Sequence, residues 1–357
     1  MSTEPATLEA EKRAATNVRR MGLRIALAVS IGFTWSVLTG SVLPFLGPLF
    51  AAQFLASSFR PMPLKKAVGM AIVILGSGVV LQFVATLTGD RPPVLLLLIG
   101  LVYFICFYLQ ASKVGGVAIF LILVVAVIVP LMTVLNRDLG ASILAIPVEG
   151  VVSGTVLMWL AHALIPDRGG QDVDDVEVAA PRSRALAYAA ANTVILLIAL
   201  AACLTNDQLA TAAVIPITVA SILSQLDFDA STRAAFGLAA INLIGGIVAS
   251  VAFVVLEIRP TPAVLFFIVL FVGLVFGGRA ALRHPSAKLY AGALTIFLIV
   301  FGTGVSPLPG SAAESFATRI SYIFLAIAYT MFMVALLWPR RAIDATMPLV
   351  LEQPSAR

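Results

Sequence analysis

The sequence predicts an all-α polytopic membrane protein of about twelve transmembrane helices, arranged as two parallel six-helix repeats. Three observations carry this prediction. The first is composition: of 357 residues, 60% are hydrophobic and only 11% are charged, where a soluble domain has about 25%, and mean hydropathy is +1.04. The second is spacing. Apolar runs of roughly 17–25 residues, the length a helical crossing needs, follow one another along nearly the whole chain. The third is a recurrence of landmarks at an offset of 168 residues.

Taken in order, the apolar runs fall near 22–40, 42–58, 65–87, 93–111, 114–134, 140–165, 185–204, 208–225, 234–256, 262–280, 288–305 and 316–338. Several connections are very short, such as Gly40–Ser41, which makes neighbouring helices antiparallel. The first run is too long for a signal-peptide core and is expected to be retained as a span. With the N-terminus inside, 19 of the 23 Lys and Arg residues fall on the inner face. Only Arg91, Arg137, Arg259 and Arg319 fall on the outer one. The positive-inside rule therefore predicts cytoplasmic N- and C-termini. It also accounts for the net charge of +5, which is spread over many loops and forms no nucleic-acid-binding patch.

The recurrence divides the chain. At the offset of 168, Pro48 falls on Pro216, Lys65 on Arg233, Gly69 on Gly237, Gly78 on Gly246, and Arg91–Pro92 on Arg259–Pro260. Later landmarks match at a slightly larger offset, ending with Ile165 against Trp338. The expected organisation is a cytoplasmic tail (1–20), a first six-helix repeat (21–166), an acidic cytoplasmic linker (167–183), a second repeat (184–339) and a C-terminal tail (340–357). An even number of crossings per repeat gives both the same direction, one of the plans used by transporters.

No polar stretch is long enough for a soluble domain with its own core, and no phosphate-loop motif is present. Cys106 and Cys203 lie inside apolar runs and read as packing residues. His162 and His284 have no Cys, Asp or Glu at ligand spacing, so neither a metal nor any other cofactor is expected. No nucleophile–base pair stands at convincing spacing, which argues against an enzyme.

The polar residues inside the spans are the candidate site. Gln53 and Ser57 lie four residues apart in the second run, as do Ser221 and Gln225 in the eighth, and at the offset of 168 they coincide in swapped order. Residues at i and i+4 share a helix face. These stripes serve either as interhelical hydrogen bonds or as the lining of a substrate path between the halves. Pro44, Pro48 and Pro216 are expected to free backbone groups beside them. Glu149 stands eleven residues beyond Asp138, about 16 Å along a helix. An ionised carboxylate at that depth is costly. It is expected either to pair with a structural partner or to couple proton movement to transport. Arg319, one turn inside the last span, either snorkels to the interface or helps attract an anion, and Tyr322 shares its face. Gly69, Gly76, Gly78, Gly237, Gly245 and Gly246 read as close-packing positions, and Asn192 and Asn242 as interhelical hydrogen-bond formers.

The stretches "LRIALAVSIGFTW", "VLPFLGPLFAAQFLASS" and "PLKKAVGMAIVILGSG", with their recurrence as "SRALAYAAANTVI", "AAVIPITVASILSQ" and "TRAAFGLAAINLIGG", resemble the fusaric acid resistance / aromatic acid exporter superfamily. The resemblance covers nearly all of 24–340. It implies an efflux protein of the bacterial inner membrane that exports small, aromatic organic acids, working in some relatives with a periplasmic membrane-fusion adaptor. It leaves open an organic-anion channel, a membrane subunit of an adaptor-dependent system, and assembly as a homo-oligomer. The expected partners are thus a small organic anion, the lipid bilayer and such an adaptor.

Overall fold

The structure is a computed structural model that describes residues 4–57, 60–135, 142–166, 182–205, 214–225, 232–282, 287–306 and 316–338. Every regular element among these is a helix. In chain order they are α1 (Glu4–Leu38), α2 (Leu46–Ser57), α3 (Leu64–Thr88), α4 (Pro92–Ala111), α5 (Gly116–Leu135), α6 (Ser142–Leu164), α7 (Arg182–Thr205), α8 (Val214–Gln225), α9 (Thr232–Ile258), α10 (Pro262–Val272), a π-helical turn (Gly273–Gly277), α11 (Gly278–Ala280), α12 (Ala287–Val305) and α13 (Phe316–Leu337). The segment from α10 through α11 forms one continuous rod. The elements fall where the apolar runs place them.

Eight described helices are long and apolar enough to cross a bilayer. Four shorter apolar helices accompany them: Leu46–Ser57, Ile215–Gln225, Leu289–Val305 and Phe324–Leu337. The outward surface is that of a membrane protein. Leu87, Leu97, Ile258 and Phe271 are each about 70% exposed or more, and the exposed large side chains gather on α3, α4, α9 and α10. Such a surface in water would be a strong aggregation hazard, and in lipid it costs nothing. The interior holds α5 and α12, where residues 121 and 123–129, and residues 293–301, are almost wholly buried.

Local chemistry explains the element ends. Pro92 and Pro262 each stand in the first turn of a helix, where the missing N–H is not needed, and Thr261 caps α10 by accepting from the Val264 amide. The end of α1 is a Schellman turn: the Ser41 amide donates to the Ser36 carbonyl and the Gly40 amide to the Val37 carbonyl, with Gly40 at φ +70°. Pro48 is the third residue of α2. First-turn amides have no intrahelical partner in any case, so Pro48 frees no carbonyl inside the helix, contrary to the expectation above. Pro216 is likewise third in the described part of α8.

The helices before and after residues 167–181 pack against one another. Among them α4 lies against α7 and α10 against α1; α5 touches α8, and α12 touches α2. The same locus is bonded in both halves. Buried Arg24 on α1 donates through Nε to the Ile165 carbonyl at the end of α6, at 2.9 Å. Asn192 on α7, which coincides with Arg24 at the offset of 168, accepts from Trp338 Nε1 just beyond α13 at 3.0 Å.

The glycine expectations divide. Gly245 packs against the backbone of Ala293, but a Cβ on Gly69, Gly76 or Gly237 would meet nothing within 4 Å. These three do not mediate close approach within the chain, because they sit on the outward side of α3 and α9. The tight crossings lie elsewhere. A Cβ on Gly154 of α6 would come within 2.8 Å of Phe50 Cβ and 3.0 Å of the Gly47 carbonyl on α2, and one on Gly150 within 3.1 Å of Leu46 Cβ. Gly150 and Gly154 form a small-xxx-small pair.

Candidate functional site

Two polar regions stand at opposite ends of α2. At its N-terminal end, Ser41 Oγ donates to Glu149 Oε1 at 2.6 Å. The Schellman turn places Ser41 there, and the glycine crossing of α6 on α2 brings Glu149 up to it. Together they open onto a small, partly open recess lined by Ser36, Ser41, Gly47, Glu149 and Ser153 among others. Glu149 is exposed rather than enclosed by protein. It lies level with the α1–α2 connection, beside Ser41. The same connection is bonded to the other half: Ser306, just after α12, donates to the Val42 carbonyl at 2.6 Å.

Gln53 lies about 10 Å further along α2. Its Nε2 donates to Thr295 Oγ1 on α12 at 3.3 Å. One turn earlier on α12 stands Gly292. The position its Cβ would take is already occupied by Gln225 Oε1 from α8, with Asn242 Oδ1 of α9 2.9 Å away from that position. Gln225 Nε2 donates to Ser221 Oγ at 3.0 Å. The Gln/Ser stripes of the two halves thus meet neighbouring turns of a single helix, α12.

This second region is under-bonded. Thr218 Oγ1, Gln225 Oε1 and both amide atoms of Asn242 are buried and have no hydrogen-bond partner. More than nine in ten buried polar groups are normally paired, so four such atoms on α8 and α9 are unusual. Between the two regions α12 carries Phe297 and Phe301. They stack at 5.3 Å, and Phe301 stacks on Phe33 of α1 at 5.3 Å.

The remaining predicted residues lie apart. Ser57 is exposed and bonds only within its helix, to the Phe54 carbonyl. Tyr322 is half-buried on α13 and packs against the main apolar cluster. Arg319 is on α13, but its side chain lies outside the described residues. Thr295, Gly292, Thr218 and Ser41 were not singled out from the sequence. The Gly292/Thr295 pair has i, i+3 spacing, which places both on one face and was the available signal.

Among the described residues no group of three His, Cys, Asp or Glu could hold a metal ion. His162 is buried, with Nδ1 2.9 Å from the Met158 carbonyl. What the arrangement offers is a carboxylate at one mouth, a neutral amide-and-hydroxyl cluster at the other end of α2, and an aromatic barrier between them. No family model, no curated protein and no solved structure matches this chain.

Proposed function

We propose that this protein is a bacterial inner-membrane efflux transporter that carries small, aromatic organic acids outward and draws on the proton gradient. The observation that supports this best is the pair of polar regions separated by the Phe33–Phe301–Phe297 stack, because a carrier needs a site and a barrier on the same route. Transporter sites lie commonly at the interface of repeats, and Gln53–Thr295 bridges the two halves. The reciprocal packing of α4 on α7 and α10 on α1 supports twelve crossings in two six-helix repeats related by an axis along the membrane normal. Both termini are then cytoplasmic, with the Glu149 recess facing outward. Glu149 exchanges protons there, and Gln53, Ser221 and Gln225 line the inner part of the path. The acid class and the direction rest on the family resemblance.

The test is accumulation of labelled aromatic carboxylates in cells with and without the protein, each with and without a protonophore, and with Glu149→Gln beside the wild type. Lower accumulation that both the protonophore and the substitution abolish is the expected result. Equal accumulation with and without the protein for every compound would remove the exporter reading. Accumulation that is lowered but indifferent to the protonophore would point to an anion channel.

A further inference from the structure

The four unpartnered atoms are the least explained feature of the molecule. Asn242 is fully buried, yet neither its amide oxygen nor its amide nitrogen is bonded. A buried amide left unbonded is costly, so the side chain is kept in place for something other than this packing. Gln225 Oε1 faces the same point over Gly292, and no neighbouring donor satisfies it. Gly292 makes the convergence possible, since any β-carbon there would fill it. Thr218, Ser221 and Gln225 follow one another at i, i+3 and i+7 and share one face of α8. Gln225 is only half-buried.

Every group in the cluster is uncharged. A primary amide presents one donor and one acceptor side by side, whichever way it is turned. Its complement is another planar group with the same pair: a protonated carboxylic acid or a carboxamide. An ionised carboxylate fits poorly, because it accepts only and pays heavily for desolvation. We infer that Asn242, with Gln225 over Gly292, is a binding site for a neutral planar donor–acceptor group, and that an organic acid enters it in its protonated form. This rests on the transport reading above.

The probes are trans-cinnamic acid, cinnamamide and methyl cinnamate, titrated onto the full-length protein in lipid nanodiscs between pH 5 and 8. Cinnamamide is expected to bind equally at all pH values. Cinnamic acid should bind at low pH and weaken about tenfold per unit above its own pKa, as its neutral fraction falls. The ester, which has the acceptor without the donor, should bind at least tenfold more weakly than the amide. Asn242→Leu, with a melting temperature at or above that of the wild type because it removes unbonded buried groups, and independently Gly292→Ala, should each lose binding at least tenfold, and the variants in the same nanodiscs correct for partitioning into lipid. Acid affinity that is flat or rises with pH would overturn the inference in favour of carboxylate recognition. Equal binding of ester and amide, wild-type binding by both variants, or no binding of any probe would overturn it in favour of a cluster filled by water. Export that persists alongside any of those results would remove this inference alone. The expected binding pattern without export would remove the transport reading and leave the site.

Discussion

At the scale of single residues, the sharpest consequence concerns Ser41. Its hydroxyl is the one described partner of the Glu149 carboxylate, and a hydrogen bond to a charged group contributes up to roughly 1.5–3 kcal/mol, less where water competes. On the proposed transport reading, Ser41→Ala should slow export about fivefold while lowering the melting temperature only slightly, because the bond lies at an exposed carboxylate. A lower melting temperature with unchanged export would make the bond structural instead. Arg24 behaves oppositely. It is 1% exposed and satisfies the carbonyl at the end of α6, a favourable place for a cation. Arg24→Ala leaves a cavity and a carbonyl stripped of its partner, and should cost about 3 kcal/mol or more of stability, read as an earlier thermal transition in detergent. Arg24 also shows how far the sequence could be read. The charge count placed it on the inner face, but nothing in such a count says that the side chain turns inward to cap a helix 141 residues away.

At the scale of elements, glycines with open surroundings and glycines with crowded ones make opposite predictions. Gly76 on α3 meets nothing within 4 Å, so Gly76→Ala should be neutral or stabilise by up to about 1 kcal/mol through helix propensity. Gly154→Val would drive into Phe50 and the Gly47 backbone, cost about 1–3 kcal/mol by overpacking, and displace α6 with its Glu149. Parallel melting curves of the two variants, with export measured beside them, separate these outcomes. Helix positions were legible because apolar runs of crossing length and first-turn prolines are local signals. Which glycines are crowded was not, since that depends on which helices cross. The repeat offset aligned Gly69 with Gly237, and the offset was informative, but both face outward. The Gln/Ser stripes were visible as i, i+4 pairs. Their common meeting place on α12 was not, because Gly292 and Thr295 are unremarkable until α2, α8 and α9 are seen to converge on them.

At the scale of the molecule, the aromatic stack lies between the two polar regions. Removing its middle ring, Phe301→Ala, should let protons or small acids leak through, measurable as faster collapse of an imposed pH gradient in proteoliposomes; an unchanged collapse rate would place the barrier elsewhere. The two seams that join the halves are built differently. At the α4–α7 seam a leucine, Leu197, presses into the space beside Gly100, 2.6 Å from where its Cβ would be. At the α1–α10 seam Gly22 lies over Gly278 and Ala26 over Gly273, backbone against backbone, while Ile25 presses beside Gly277 of the π turn, 2.8 Å from where its Cβ would be. Both joints are thus keyed by a side chain set against a glycine, and Gly273→Leu would act as a wedge, prising α1 off the rod where Ala26 Cα lies 2.9 Å from the position of the new Cβ.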